Sequence, residues 1–378
     1  MRMQVAAWIL PTCLFAAPAI SDQAAEPDAH RSCPAGRIIS FNAPLAAKVV
    51  SPACGSSCGT QAFGNNAEGA IVGSYTDENV VPHGFLRTAG GEFISFNAPG
   101  AGLGAQLDEG TVAYAINDFG VIVGQFEDSK LMFHGFVRFP GGTYSIIDAP
   151  GAGRGAGLGT LAWSINLQGA TAGVYFDSNG AEHGFVRSPR GKITTIDPAG
   201  STGTMVCEET CLNADGTITG FFSDATGVFH GFVRDPEGTI SAFDPPTSQG
   251  TFAASINLFG EITGYFFDAK NEFHGFLRSR EGAFTVFDVP GESDAPGQGA
   301  APFSINLFGT ATGEYFDSNS AMHGFSRTVA GRYDKFDAPG AGTGAGQGTR
   351  ASTNNTEGAV TGWMVDANNL NHGFLWEP

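Results

Sequence analysis

Apolar and polar positions alternate in short runs along most of the chain, and turn residues separate the runs. Thr160 to Asn166 (TLAWSIN), Ala170 to Asp177 (ATAGVYFD), His183 to Ser188 (HGFVRS) and Lys192 to Asp197 (KITTID) form one such series, with NLQG, DSNG and SPRG at the junctions. Runs of this length, rich in aromatic and β-branched residues and bounded by Gly, Asn, Asp and Ser, predict short β-strands and not helices. Four strands make one unit.

The unit recurs. The triplet His-Gly-Phe stands at His83, His134, His183, His230, His274, His323 and His372, at intervals of 51, 49, 47, 44, 49 and 49 residues. A period in this range marks stacked or circular repeats. The fourth-strand pattern first occurs at Arg37 to Pro44 (RIISFNAP), ahead of any first strand, whereas the chain ends on a third strand, His372 to Trp376 (HGFLW). The two ends are complementary. The predicted fold is therefore all-β: a seven-bladed β-propeller of four-stranded blades, its ring closed by the N-terminal strand joining the last, C-terminal blade, which hides most strand edges. An open β-solenoid has no need of that phase.

The consensus Ile-Asn-x-x-Gly-x-x-x-Gly-x-Tyr/Phe-x-Asp, followed by His-Gly-Phe-x-Arg, resembles the HAF repeat of bacterial extracellular proteins, named for a His-Ala-Phe triplet. The likeness covers nearly the whole mature chain. Each triplet here has Gly where that repeat has Ala: Gly84, Gly135, Gly184, Gly231, Gly275, Gly324 and Gly373. The resemblance implies an exported repeat protein and transfers no catalytic residues.

Composition narrows the function classes. Of 378 residues 42% are apolar and 11% aromatic, which argues against wholesale disorder, and 55 are Gly, in keeping with many tight turns. Lys and Arg number 19 against 37 Asp and Glu, a net charge of −18. Phosphate backbones and anionic lipid both need a basic surface, so nucleic-acid binding is disfavoured.

Met1-Arg2-Met3-Gln4 gives a short basic start, and Val5 to Ala19 is apolar and ends in small residues. That reads as a secretory signal peptide over residues 1–21, cleaved after Ala19 or Ser21. A flexible segment over 22–35 then leads into a single propeller domain over 36–378. No later stretch approaches the ~20 apolar residues of a membrane span. Cys13 within Leu10-Pro11-Thr12-Cys13 is a weak match to a lipidation signal. Without it, Cys33, Cys54, Cys58, Cys207 and Cys211 remain, enough for two disulfides and one left over, in a pairing the sequence leaves open. A four-Cys zinc site is the competing reading, less favoured in a secreted chain.

Each triplet His has an Asp six residues before it, such as Asp128 or Asp177. Fourteen residues after it stands Asp or Asn, such as Asp148 or Asp197, and His372 finds Asn42 through ring closure. Folding the strands about their turns sets Asp177 and Asp197 opposite His183, and Asp128 and Asp148 opposite His134. Such rows could ligate metal, but their repetition favours a structural hydrogen-bond network, resembling that of WD-repeat propellers. No metal or cofactor is expected. Arg87, Arg138, Arg187, Arg234, Arg278 and Arg327 follow the triplets as blade-surface residues, replaced by Trp376 in the last blade. Tyr75, Phe126, Tyr175, Phe222, Phe266 and Tyr315 are expected to pack between blades.

Several motifs lack their context. Gly55-Ser56-Ser57-Cys58-Gly59 matches a nucleophile elbow, but it lies in a Cys-containing loop with no strand-to-helix turn. The Gly-rich runs Pro99 to Gly104, Pro150 to Gly159 and Pro339 to Gly348 precede no helix, so they are read as connections and not phosphate cradles. Asp177-Ser178-Asn179-Gly180 has calcium-loop residue types without the later ligands.

Departures from the repeat are the better functional clue. Met205 to Asn213 (MVCEETCLN) replaces the apolar first strand and sets Glu208 and Glu209 beside the channel, as candidate ligand-binding carboxylates. Asp108, Glu109, Glu292 and Asp294 are secondary candidates in interblade loops. Trp163, Tyr114 and Phe303 occupy matching inner-strand positions as packing residues. No catalytic nucleophile-and-base pair stands out, since every mature His except His30 belongs to the repeat. The expected function is a secreted, monomeric binding module for an extracellular polysaccharide or protein. The alternative is a glycoside hydrolase or lyase using carboxylates or a metal at the channel mouth.

Overall fold

Four-stranded antiparallel sheets repeat along the chain. The computed structural model describes residues 36–51, 54–104, 109–206 and 210–378. The leader over 1–21, the segment over 22–35, Cys33, Asp108, Cys207, Glu208 and Glu209 lie outside the described residues. Among the described residues there are 28 strands and one short 3-10 turn, Gly55–Ser57, and no α-helix.

A representative unit comprises Gly159–Ile165, Thr171–Phe176, Glu182–Arg187 and Ile193–Ile196, each strand antiparallel to the next. In most of the units the first strand touches the first strand of its neighbour, so these strands are innermost. Single parallel bridges, such as Gly159 to Phe133 and Gly348 to Met322, link some units into sheets of twelve and eight strands; two units stand as separate four-stranded sheets. At such a bridge the backbones approach so closely that a Cβ on Gly159, whose φ is +131°, would strike the carbonyl of Phe133. Arg37–Phe41 pairs with Asn371–Glu377 from Arg37 opposite Glu377 to Phe41 opposite Gly373, as the phase of the repeat predicts.

The triplet supplies the core. Phe85, Phe136, Phe185, Phe232, Phe276, Phe325 and Phe374 are fully buried. The triplet glycine makes room for the fourth strand: Gly84 lies opposite Phe96, and a Cβ there would meet the Phe96 ring. Gly231, Gly275, Gly324 and Gly373 face Phe243, Phe287, Phe336 and Phe41 in the same way.

Three of the six arginines correct the surface reading, and Arg187, Arg234 and Arg278 are half-buried. Arg87, Arg138 and Arg327 are buried, with their guanidinium groups 4.8, 4.6 and 4.6 Å from the ring centres of Phe41, Phe96 and Phe287 in the preceding unit. A weakly hydrated, planar cation can leave water when it rests on an aromatic face. Trp376 has the same task in the last unit, stacked on Phe336 at 4.5 Å and 17°.

At the end of the molecule that carries the Ile-Asn turns, asparagine ties each unit to the next. The side-chain amide of Asn66 donates to the carbonyl of Asn117, Asn117 to Asn166, Asn166 to Asn213, Asn213 to Asn257, Asn257 to Asn306, and Asn306 to Asn355. Asn355 donates back to Asn66 at 2.9 Å. Each side-chain oxygen closes its own turn by accepting the N–H four residues on, as Asn166 does from Ala170 at 2.9 Å. All of these asparagines are buried.

We expect Asn166→Ala to destabilise the protein by about 1–3 kcal/mol, because it strands the Ala170 N–H and removes one of the two hydrogen bonds to the Asn213 carbonyl, leaving that from the Gly216 N–H. Urea unfolding checks this, with exposed Asn368→Ala as the control, expected within about 0.5 kcal/mol of wild type. Equal effects at the two positions would remove the circuit from the account of stability.

Candidate functional site

The His rows lie at the opposite end from the Asn turns and stand partly in water. His183 Nδ1 bonds Asp197 at 2.9 Å and His134 Nδ1 bonds Asp148 at 2.7 Å, while His372 Nδ1 bonds Asn42 at 2.9 Å. The N-terminal partners depart from the expected register. The residue opposite His183 is Tyr175, whose ring stacks on the imidazole at 4.9 Å. Asp177 belongs to the turn: its Oδ1 accepts the N–H groups of Asn179 and Ala181, and its Oδ2 stands 3.8 Å from His183 Nε2. Those backbone donors hold the Asp177 carboxyl below its usual range. Asp128 sits likewise, 3.6 Å from His134 Nε2. The hydrogen bond to Asp148 raises the pKa of His134 against the opposing effect of burial. Because Asp148 is 61% exposed, water can replace a lost partner, and the row contributes less to stability than a buried network would.

The loop acids do not converge. Glu109 is buried and accepts the Gly104 N–H at 2.7 Å, which makes it a clamp for its own loop. Glu292 sits in a different interunit loop, where its carboxylate accepts the Val289 N–H at 2.8 Å, and Asp294 is exposed two residues further on. None of them lines the cavity that the inner strands enclose. The turn Gly55–Ser57 is spanned by the Cys54–Cys58 disulfide and is no elbow; Cys211 is buried and has no disulfide partner among the described residues.

The cavity arises from a repeated irregularity. Each of five inner strands slips register around one residue, namely Phe63, Tyr114, Trp163, Ala254 and Ser352, and Phe303 sits at the same slip in a sixth. A bulge re-aims its side chain. Together with the residue two positions earlier and one from the second strand, the bulge residues of consecutive units enclose about 230 Å³ between Met205, Phe221, Phe252, Ala254, Tyr265, Phe303, Arg350, Ser352 and Trp363. These positions vary from repeat to repeat, whereas the flanking Thr251 and Ala253 have Thr349 and Ala351 as their counterparts. That contrast was the available signal. Without the bulge it reads only as the packing expected of Trp163, Tyr114 and Phe303.

The cavity wall is aromatic with a few polar points. Phe221 meets Phe252 at 5.0 Å, Phe252 stacks on Tyr265 at 5.0 Å, and the Arg350 guanidinium lies 4.6 Å from the Phe303 centroid and 5.0 Å from that of Trp363. Arg350 also pairs with buried Glu314 at 3.4 Å. Burial pushes the Glu314 carboxyl up, against the pull of Arg350. The Ser352 hydroxyl is buried on the cavity wall with no hydrogen-bond partner among the described residues. Flat apolar faces beside a guanidinium and an unsatisfied hydroxyl suit a small ring with an apolar face and a polar edge.

Glu292 provides a pH signature. Burial first, then the charge of Asp288 and a hydrogen bond to it, raises the Glu292 pKa from 4.5 to about 8, although the Val289 N–H opposes the shift. The folded state thus holds this proton more tightly than the unfolded chain, so the stabilisation is complete below 4.5 and is lost as pH rises through about 8. We expect the stability of wild type relative to Glu292→Gln to fall across that window and level off above it, measured as the difference in urea midpoint. A pH-independent difference would mean that Glu292 does not hold the proton.

No protein-family model matches the chain, and no curated protein matches it. Solved structures do. A streptogramin B lyase is similar with a TM-score of 0.54 and 13% identity over 90% of this chain and 97% of the lyase. The BP39L lectin from Burkholderia pseudomallei has a TM-score of 0.53 and 11% identity over 82% of this chain and 94% of the lectin. The S511A mutant of puromycin hydrolase, complexed with PGG, has a TM-score of 0.53 and 13% identity; the match covers 84% of this chain and 52% of the hydrolase. At these identities the likeness is one of fold, and the fold it identifies is propeller-like, built of repeated four-stranded sheets.

Proposed function

We propose that this chain is a secreted seven-bladed β-propeller that acts as a binding module for an extracellular polysaccharide, whose terminal sugar enters the central cavity. The observation that carries the reading is the aromatic wall with its buried, unpartnered Ser352 hydroxyl. A volume of 230 Å³ lies below the ~300–1,000 Å³ of pockets for drug-sized ligands, so it suits one ring and not a length of chain. The −18 net charge favours a neutral or cationic glycan over an acidic one. Secretion rests on the leader-like start and the HAF resemblance, and a lectin among the propellers of similar fold is consistent with the reading.

Ring closure at the last blade is supported by the pairing of Arg37–Phe41 with Asn371–Glu377 and by the return of the Asn circuit from Asn355 to Asn66. We expect deletion of residues 37–44 to abolish the cooperative melting transition. An unchanged transition in the truncated protein would reject closure by this strand.

For the ligand, the test is a screen of neutral, basic and acidic polysaccharides read for both saturable binding and new products. We expect binding without products, weakened about thirtyfold or more by Trp363→Ala and by Phe252→Ala, as for a buried aromatic anchor. Retention of affinity in both variants would remove the cavity from the site. The hydrolase or lyase alternative has one observation in its favour, the buried Glu314 carboxyl held behind the wall by Arg350. It requires products whose formation stops in Glu314→Gln.

A further inference from the structure

One of the His rows differs from all the others. In the remaining units the residue two positions before the triplet His is apolar: Val81, Met132, Ala181, Val228, Ala321 or Leu370. In the unit of His274 it is Glu272, which brings a third candidate ligand atom to the row. The side-chain atoms of Asp268, Glu272 and His274 all lie within 4.8 Å of one another.

The polarity of this group is set from outside it. His274 Nδ1 lies 2.7 Å from the Asp288 carboxylate, so in the neutral ring the proton belongs on Nδ1 and the Nε2 lone pair faces Asp268 and Glu272. Asp268 Oδ1 is taken by the N–H groups of Lys270 and Glu272, which leaves Oδ2 turned to His274 Nε2 at 3.9 Å. That is too long for a hydrogen bond, and it is the widest such separation in the His rows. A lone pair facing two carboxylates is repulsive until a positive charge stands among them. Lys270 meets Glu272 at 3.3 Å but is 74% exposed, and exposed ion pairs of this kind contribute little.

We propose that Asp268, Glu272 and His274 bind one zinc-class divalent cation, with Asp288 orienting the imidazole from behind. One nitrogen and two carboxylate oxygens with solvent-side positions left open match zinc coordination, whereas calcium takes six to eight oxygens. A carboxylate behind a ligating His recurs at zinc sites, where it fixes the ring and raises its basicity. The ligand side chains are 16–22% exposed, so the ion has a route in from solvent. The proposal does not depend on what occupies the central cavity.

The test is calorimetric titration of the full chain, stripped with chelator, with zinc chloride, and with calcium and magnesium chloride in parallel. Elemental analysis after desalting gives the stoichiometry. The expected result is one zinc per chain, no heat from calcium or magnesium, and binding at least tenfold weaker in Glu272→Val, which installs the residue found at Val81 and Val228. Asp288→Asn should weaken binding roughly 10–100-fold while leaving all three ligands in place. Melting curves establish that each variant is folded, and Glu272→Gln replaces Glu272→Val if that variant does not fold. No zinc binding, unchanged affinity in the folded Glu272 variant, binding of calcium equal to that of zinc, or a stoichiometry near one per His row would each overturn the proposal.

Discussion

The structure depends first on a buried amide problem solved the same way in every unit. The Asn turn at the inner end of each sheet leaves an N–H away from bulk water, and an unpaired group of that kind is costly. The asparagine side chain satisfies it with its oxygen, and its amide adds a second bond to the carbonyl of the next asparagine, which already accepts an N–H within its own turn, as in Asn117 to Asn166. Asn355 in turn donates to the carbonyl of Asn66, so the same bond also joins the last inner strand to the first.

Outside that circuit the units are held by packing that also repeats. A guanidinium on one unit covers the Phe that ends the fourth strand of the unit before it, as Arg138 covers Phe96, and the ring also lies over the triplet glycine of its own sheet. An Ala methyl at Gly84 would collide with Phe96, so glycine in the triplet and a bulky aromatic in the fourth strand are one feature seen from two sides. Where the fourth strand ends in Ile196 instead, a Cβ at Gly184 meets Val206 of the next unit first. The replacement of Arg by Trp at Trp376 preserves the contact with Phe336.

Much of this is written in the sequence because the elements are short and their turns explicit. The four strands, the pairing of Arg37–Phe41 with the last sheet, the Asp197 and Asn42 partners of the His side chains and the burial of Tyr75 and Phe126 all follow from alternation, turn residues and phase. Other features were hidden because they depend on geometry between units. The Ile-Asn signal reads as a turn, not as a link from one sheet to the next. The arginines read as surface residues because a charged side chain on a strand edge ordinarily is one, and only the neighbouring Phe lets them be buried. The slip at Trp163 and Phe303 leaves no mark in an alternating pattern, although it decides that these positions face the axis. The acids of the interunit loops look functional in sequence, yet Glu109 spends its carboxylate on its own loop.

Residues that hold the units together and residues that face the cavity thus occupy different positions of the same strand. Thr160 accepts the N–H of Ala149 from the preceding interunit loop, and Ala162 is enclosed between sheets, so neither can change without cost to assembly. The intervening residue and the bulge residue are Phe252 and Ala254 in one unit but Arg350 and Ser352 in another, on backbone of the same register. A repeat built this way can exchange large aromatic, small and charged side chains around its axis while the Asn circuit holds the backbone constant. The same logic applies at the His end, where the turn aspartate serves its own loop and a single substitution, Glu272 for an apolar residue, alters the chemistry of one row without touching the register of the sheet. Side-chain variation on a backbone of constant register lets a uniform scaffold carry different chemistry from one unit to the next.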